Sequence, residues 1–397
     1  MTTELASALA AIARRLHALP GEAHRITSPL GVWLLLATVA RAADGPRPDL
    51  DAAIGMPRAE AIALADRLIG TPHPVVLNAF AAWARSDTLT ERVRSFFDDL
   101  PGDVTRGPMP SQSEADAWAR ERTAGLIPEY PVPLDPSILI TLANALACKV
   151  GWLEPFRVAP ADGLGPGPFS HLVSRALVTA PGAGHGAWIS DSALGPVAVH
   201  VARAEGLDVL SVIADPGAAP AEVLAVAHDL VAEPQARLGL ADLPLGDGPA
   251  WTIDEVMTRA TPAERRSGRI ISVTLPAWSA RAMLDLMADP ALGFAAAGSV
   301  LADLIEVPGL DIVAAQSVVA RYHRVGFEAA AVTAMAGRAS FTVPEDGPLR
   351  VARLRFGHPY AAVAVARPSA TSRPGQDPWD GIPVFSAWVA TSEEPED

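Results

Sequence analysis

Leu5, Leu9, Ile12, Leu16 and Leu19 recur at spacings of three and four. This puts one apolar stripe on a helix over residues 2 to 19, which Pro20 ends. Ser28-Pro29 supplies an N-cap followed by proline at the first helical position, and the next stretch, through about Ala43, is apolar almost all round. Such a helix belongs in a core. Further helices are predicted over roughly 58 to 70, 89 to 100 and 112 to 125, the last closed by Gly125. From about residue 137 the period changes, and Ile138 to Ala143 predicts a buried strand running on towards Lys149. Strands are also predicted at 196–203, 207–214, 269–275, 311–322, 350–356, 360–366 and 383–390, with helices over about 219–232 and 280–288 between them. Helices first and strands later, without regular alternation, point to an α+β fold. The Gly/Pro-rich stretches 158–168 and 368–382 are expected to be surface loops. Neither cuts the chain, so 1–397 is expected to be a single domain.

Lysine and arginine total 31 and the acidic residues 45, a net charge of −14 over 397 residues. Phosphate backbones and anionic membranes are bound mainly by clustered Lys and Arg, so neither nucleic acid nor a membrane is expected as a partner. Cys148 is the sole cysteine. It can neither close an internal disulfide nor complete a multi-thiolate metal site. The longest apolar run, Leu30 to Ala40, is well short of the roughly 20 residues a membrane span requires. Glu4 precedes the first apolar stretch and Arg14 and Arg15 lie within it, the wrong charge order for a secretory signal. The expectation is a soluble, cytoplasmic monomer. Lys149 is the only lysine, and the Ala, Pro and Arg bias of the chain weakens arguments from helix propensity.

Site chemistry is sparse. The nine histidines are scattered, without HExxH or HxH, and there is no GxSxG elbow or P-loop. Gly182 to Gly186 reads as a flexible turn. Cys148, in an apolar strand, reads as a buried inert thiol. No catalytic residue, cofactor or metal is expected.

One stretch carries more. Gly326-Phe327-Glu328-Ala329-Ala330-Ala331-Val332-Thr333-Ala334 follows an extended run and precedes a small-residue loop. Small residues in series let a segment slide between existing strands with little steric resistance. The segment resembles the hinge of the serpin reactive-centre loop: Gly, Thr or Ser, Glu, a run of Ala, then Thr. The resemblance keeps its order along nearly the whole chain. Ser28-Pro29-Leu30 with Ala40 to Ala43 is similar to the serpin opening, Leu77 to Phe80 with Phe96 to Leu100 to the strand and helix that follow, and Trp118, Thr123, Gly125 and Ile127 to the next helix. Leu142 to Ala145 with Lys149, Trp152 and Pro155-Phe156 is similar to "L-V-N-A-x-x-F-K-G-x-W-x-x-P-F". Phe356, Pro359, Tyr360, Pro383 to Phe385 and Trp388-Val389 resemble the closing strands.

What the resemblance implies is one serpin domain with three β-sheets, about eight or nine helices and an exposed reactive-centre loop over about 324–350. The implied activity is suicide-substrate inhibition of a serine, or alternatively a cysteine, protease, with a non-inhibitory binding or assembly role as the rival. Family spacing places the reactive bond at Ser340-Phe341, with Arg338 as the competing anchor. Ser28, Asn144, Gln316 and Trp152 fall in the sheet-opening region. This chain departs from the pattern at Phe327, a position normally small and polar, at Arg324, normally acidic, at Gln316, normally histidine, and at His24, normally asparagine. In an inserted strand, Phe327, Ala329, Ala331 and Thr333 share one face and Glu328, Ala330, Val332 and Ala334 the other. An unpaired carboxylate belongs in water, which assigns Phe327 to the core side.

Overall fold

The computed structural model describes residues 3–179, 184–233, 237–260, 269–308, 310–327, 345–368 and 377–396. The chain divides into two compact units: Met1–Cys148, Ala280–Ala320 and Ala364–Ala387 form the first, and Lys149–Ser279, Arg321–Val363 and Trp388–Asp397 the second. The fold is α+β. Among the described residues there are eight α-helices and four β-sheets.

The first unit holds seven of those helices. Thr3–Ala18 buries the stripe Leu5, Leu9, Ile12 and Leu16. Pro29–Ala40 is capped by Ser28, whose Oγ accepts the Gly31 N–H at 3.2 Å. All of its residues except Leu35 are buried, as an all-round apolar helix requires. Pro48–Ile54, Arg58–Ile69 and Glu91–Asp98 follow. Gln112–Arg122 starts on a capping box in which Ser111 and Glu114 satisfy each other's main-chain N–H groups. Its indole, Trp118, packs edge-on to Trp83, and Tyr130 shares a 2.8 Å hydrogen bond with Thr141. In the three-stranded sheet of this unit Val76–Ala84 lies between Thr105–Pro108 and Ile140–Cys148, antiparallel to the latter from Val76↔Cys148 to Ala84↔Ile140. The last helix, Phe294–Ile305, packs Gly298 against Ile312.

The second unit contains a six-stranded sheet in the order Gly246–Asp247, Trp251–Ala260, Glu345–Arg355, Arg269–Leu275, Arg175–Val178, Arg157–Pro160. His185–Ser190, Val197–Ala204 and Leu207–Ile213 form a second antiparallel ladder, and Pro220–Ala232 is the remaining helix.

Several expectations need correction. Residues 280–288 are not a helix: Trp278–Asp285 is a strand that buries Trp278, Ala280, Ala282 and Leu284 and exposes Arg281, Met283 and Asp285. Its Ala, Arg, Met and Leu favour a helix by propensity, but the strict period of two decides. The strand expected from 311 begins only at Ala315, and that expected from 137 begins at Ile140. The supposed loop 158–168 carries strand Arg157–Pro160 and a 3₁₀ turn that buries Ala161 and Leu164. Pro48–Ile54 and Phe294–Ile305 were not anticipated from the pattern.

A β-carbon added at Gly298 would overlap the Ile312 side chain. Overpacking costs about 1–3 kcal/mol, against about 1 kcal/mol gained when alanine replaces glycine inside a helix. Gly298→Ala should therefore lower the urea midpoint; a raised midpoint would show that Ile312 moves aside freely.

Candidate functional site

Two strands bear on the candidate site. Among the described residues Ile140–Cys148 is a terminal strand, paired with Val76–Ala84 on one side. Ala315–Tyr322 adjoins Trp278–Asp285 on one side, and on the other its sole described partner is a pairing at its last residue. A cavity of about 130 Å³ is lined by Ile140 to Ala145 and Ile312 to Ser317. Leu36, Val39, Trp118, Ile127 and Phe294 supply apolar lining. Among the described residues neither strand is paired along most of its second side, and two such edges along one cavity have the geometry to receive an extended chain. The four-sheet division originates here: the two strands flank the cavity without a described strand joining them.

A polar clasp sits at this cavity. The Ser28 N–H donates to Gln316 Oε1 at 2.9 Å, and Gln316 Nε2 donates back to the Ser28 carbonyl at 2.9 Å. The side-chain amide thus copies the reciprocal pairing of a strand residue. Ser28 Oγ donates to the Val384 carbonyl at 3.0 Å while accepting from Gly31. Asn144 Nδ2 donates to Asn78 Oδ1 at 2.8 Å and to the Ala79 carbonyl at 3.3 Å. Gly31 lets these groups converge, since a β-carbon there would lie 2.8 Å from Asn144 Oδ1 and 3.2 Å from Ser28 Oγ. Ser28, Asn144 and Gln316 are therefore brought together, with Asn78 and Gly31 as members that sequence reasoning had not singled out. Gln316 has no titrating group, so this clasp does not respond to pH.

Trp152 belongs to the second unit, in a different arrangement. Gly326–Phe327 is a short strand paired antiparallel with Val150–Gly151, and Phe327 also pairs with Tyr322 across a tight turn closed by the His323 N–H on the Gly326 carbonyl at 3.0 Å. The turn is held from outside: the Trp152 N–H donates to the Val325 carbonyl at 3.0 Å, its indole N–H to the His323 carbonyl at 2.8 Å, and the Phe156 N–H to the Arg324 carbonyl at 2.9 Å. Phe327 is 2% exposed. Its ring lies 6.5 Å from Trp152 and 6.4 Å from Trp278, and Trp278 stacks on Tyr322 at 5.8 Å and 13°. The first two residues of the expected hinge thus occupy a strand position, with the Phe327 side chain among aromatic rings. Glu328, Ala329, Ala330, Ala331, Val332 and Thr333, and Arg338, Ser340 and Phe341, lie outside the described residues.

Elsewhere the chemistry is quiet. Cys148 is buried, and burial pushes its thiol far up, away from the reactive thiolate. Among the described residues no group of three or more His, Cys, Asp or Glu could hold a metal ion, and no helix is long and apolar enough to cross a membrane.

No protein-family model and no curated protein matches the chain. Solved structures do. The native state of tengpin, a thermophilic serpin, is similar at 12% identity and TM-score 0.62, over 98% of this chain and 93% of that one. Human glycosylated kallistatin is similar at 16% identity and TM-score 0.62, over 98% of both chains. Human thyroxine-binding globulin complexed with thyroxine is similar at 14% identity and TM-score 0.58, over 98% of this chain and 99% of that one. The chain has the serpin fold.

Gln316→Ala removes both hydrogen bonds of the clasp and leaves the Ser28 N–H without its acceptor. A loss of about 1–3 kcal/mol in unfolding free energy is expected by urea titration. A loss below about 0.5 kcal/mol, the floor for a typical hydrogen bond, would mean that the pair does not hold this region.

Proposed function

We propose that this chain belongs to the serpin family as a single domain and is a suicide-substrate inhibitor of a serine protease, or alternatively of a cysteine protease, with no cofactor and no turnover of its own. The observation that carries this reading is the pairing of Gly326–Phe327 with Val150–Gly151. That pairing supports it because these two residues open the segment expected to insert, and strands that could receive an extended chain line a cavity in the first unit.

In this reading the protease attacks the carbonyl of Ser340 in the reactive loop, with Arg338 as a competing anchor, and becomes acylated. The new chain end is free to move, and the segment behind it adds as a strand, gaining main-chain hydrogen bonds and burying alternate side chains. Fifteen residues from Gly326 to Ser340 span roughly 50 Å at about 3.3 Å each, enough to cross a domain of this size. Phe327 needs no rearrangement, since it already lies on the buried face.

The rival reading is a binding or assembly protein that does not inhibit. Phe327 and Arg324 favour it, since they stand where the family pattern has a small polar and an acidic residue. Thyroxine-binding globulin, similar in fold, was solved with a small molecule bound.

Incubation with a panel of serine proteases, followed by a denaturing gel and mass spectrometry, separates the two. Inhibition gives a heavier, protease-linked band with the chain cut at Ser340-Phe341 or beside Arg338, and Phe327→Arg converts that band to simple clipping because a cation cannot enter the aromatic box uncompensated. Clipping alone by every protease, or an unchanged linked band from Phe327→Arg, would contradict this assignment.

A further inference from the structure

The second unit carries two histidines that loop insertion does not use. His185 opens the strand His185–Ser190, and His200 lies in Val197–Ala204. The register sets His185 opposite Ala202 and Ala187 opposite His200, so both rings are on one face of the ladder. They stack with centroids 5.4 Å apart, and His200 Nε2 lies 3.3 Å from His185 Nδ1. His200 is fully buried, and its Nδ1 has no hydrogen-bond partner.

These rings are the floor of the box that holds the hinge. Phe156 lies 4.3 Å from His185 and 5.7 Å from His200, and on its other side 6.2 Å from Trp152 and 5.7 Å from Tyr322. Trp152 packs against Phe327, and Tyr322 pairs with it. A continuous run of rings therefore joins the histidines to the first hinge side chain.

The charged and titratable neighbours work against protonation. Arg203, on the strand of His200, lies over Gly186 and repels a second cation. Glu154, on the segment after Trp152, presents its carbonyl to His185, which favours the charged ring, and its carboxylate accepts the Gly184 N–H at 3.4 Å. Ser211, opposite His200 on the next strand, is neutral, as is Tyr322, whose phenol burial pushes well up. Burial outweighs the Glu154 carbonyl: it lowers His185 to about 4 and holds His200 well below the usual imidazole range.

We propose that the His185–His200 pair is an acid-sensitive trigger for the hinge, in which protonation opens the floor of the aromatic box and releases Gly326–Phe327 from its strand position. Neutral rings can share one hydrogen bond, one nitrogen donating and the other accepting. A proton on either puts a cation among apolar rings beside Arg203, and a second sets two cations face to face. The sign follows from linkage. A base whose buried pKa lies below its exposed value makes the closed arrangement less favourable as pH falls from about 6.5 towards 4. Exposing one such ring is favoured about thirtyfold more at pH 5.0 than at pH 7.5.

The proposal rests on reading Gly326–Phe327 as the hinge. Its test contains no protease, so it stands or falls separately from inhibition. Hydrogen–deuterium exchange of the full chain, corrected for the intrinsic pH dependence of exchange, reports the Phe327 and Val150 amides directly. The wild type should lose more than tenfold protection there between pH 7.5 and pH 5.0, while His185→Gln/His200→Gln retains it. Should the double variant not fold, His185→Phe, which continues the aromatic floor, should lose at least threefold less than the wild type. Unchanged protection in the wild type, or equal loss in wild type and variant, would overturn the proposal.

Discussion

Main-chain groups at a strand edge must find partners, and that requirement organises this molecule. Ile140–Cys148 and Ala315–Tyr322, each without a described partner along most of one side, line one cavity with an apolar wall and a few polar side chains between them. An unpaired edge is a standing template for another strand. The clasp of Ser28 with Gln316, the placing of Asn144 and the need for glycine at position 31 hold that region in its observed arrangement.

The magnitudes favour a change of state. The clasp rests on a handful of hydrogen bonds worth on the order of 1 kcal/mol each net. A segment of about 15 residues added as a strand would form many such bonds and bury side chains as well. In the proposed inhibitory reading a lock of this size would delay insertion without outweighing it. Phe327 is held by shape, among Trp152, Trp278 and Tyr322.

Much of this was legible in the residues. The stripe Leu5 to Leu16, the Ser28-Pro29 cap and the apolar helix behind it gave the opening helices, and the ordered motifs around Asn144, Trp152 and Gly326 gave the fold. The strand Trp278–Asp285 was hidden by its helix-favouring composition, although its alternation was present. Asn78 and Gly31 were missed as site members because their role depends on three segments distant in sequence meeting at one point. His185 and His200, 15 residues apart, meet only through the register of two strands, which no local pattern encodes. The reciprocal pairing of Gln316 with the Ser28 main chain could not be foreseen from residue type alone.

The proposed reading requires that the strands along the cavity accept this chain's own loop. Its most direct test is the thermal melting of intact protein against protein nicked once in the loop between residues 338 and 342. An inserted strand adds hydrogen bonds and burial absent from the intact form, so the nicked protein should melt well above the intact one. Midpoints that coincide within a degree or two would mean that the edges do not accept the loop, and would contradict the account.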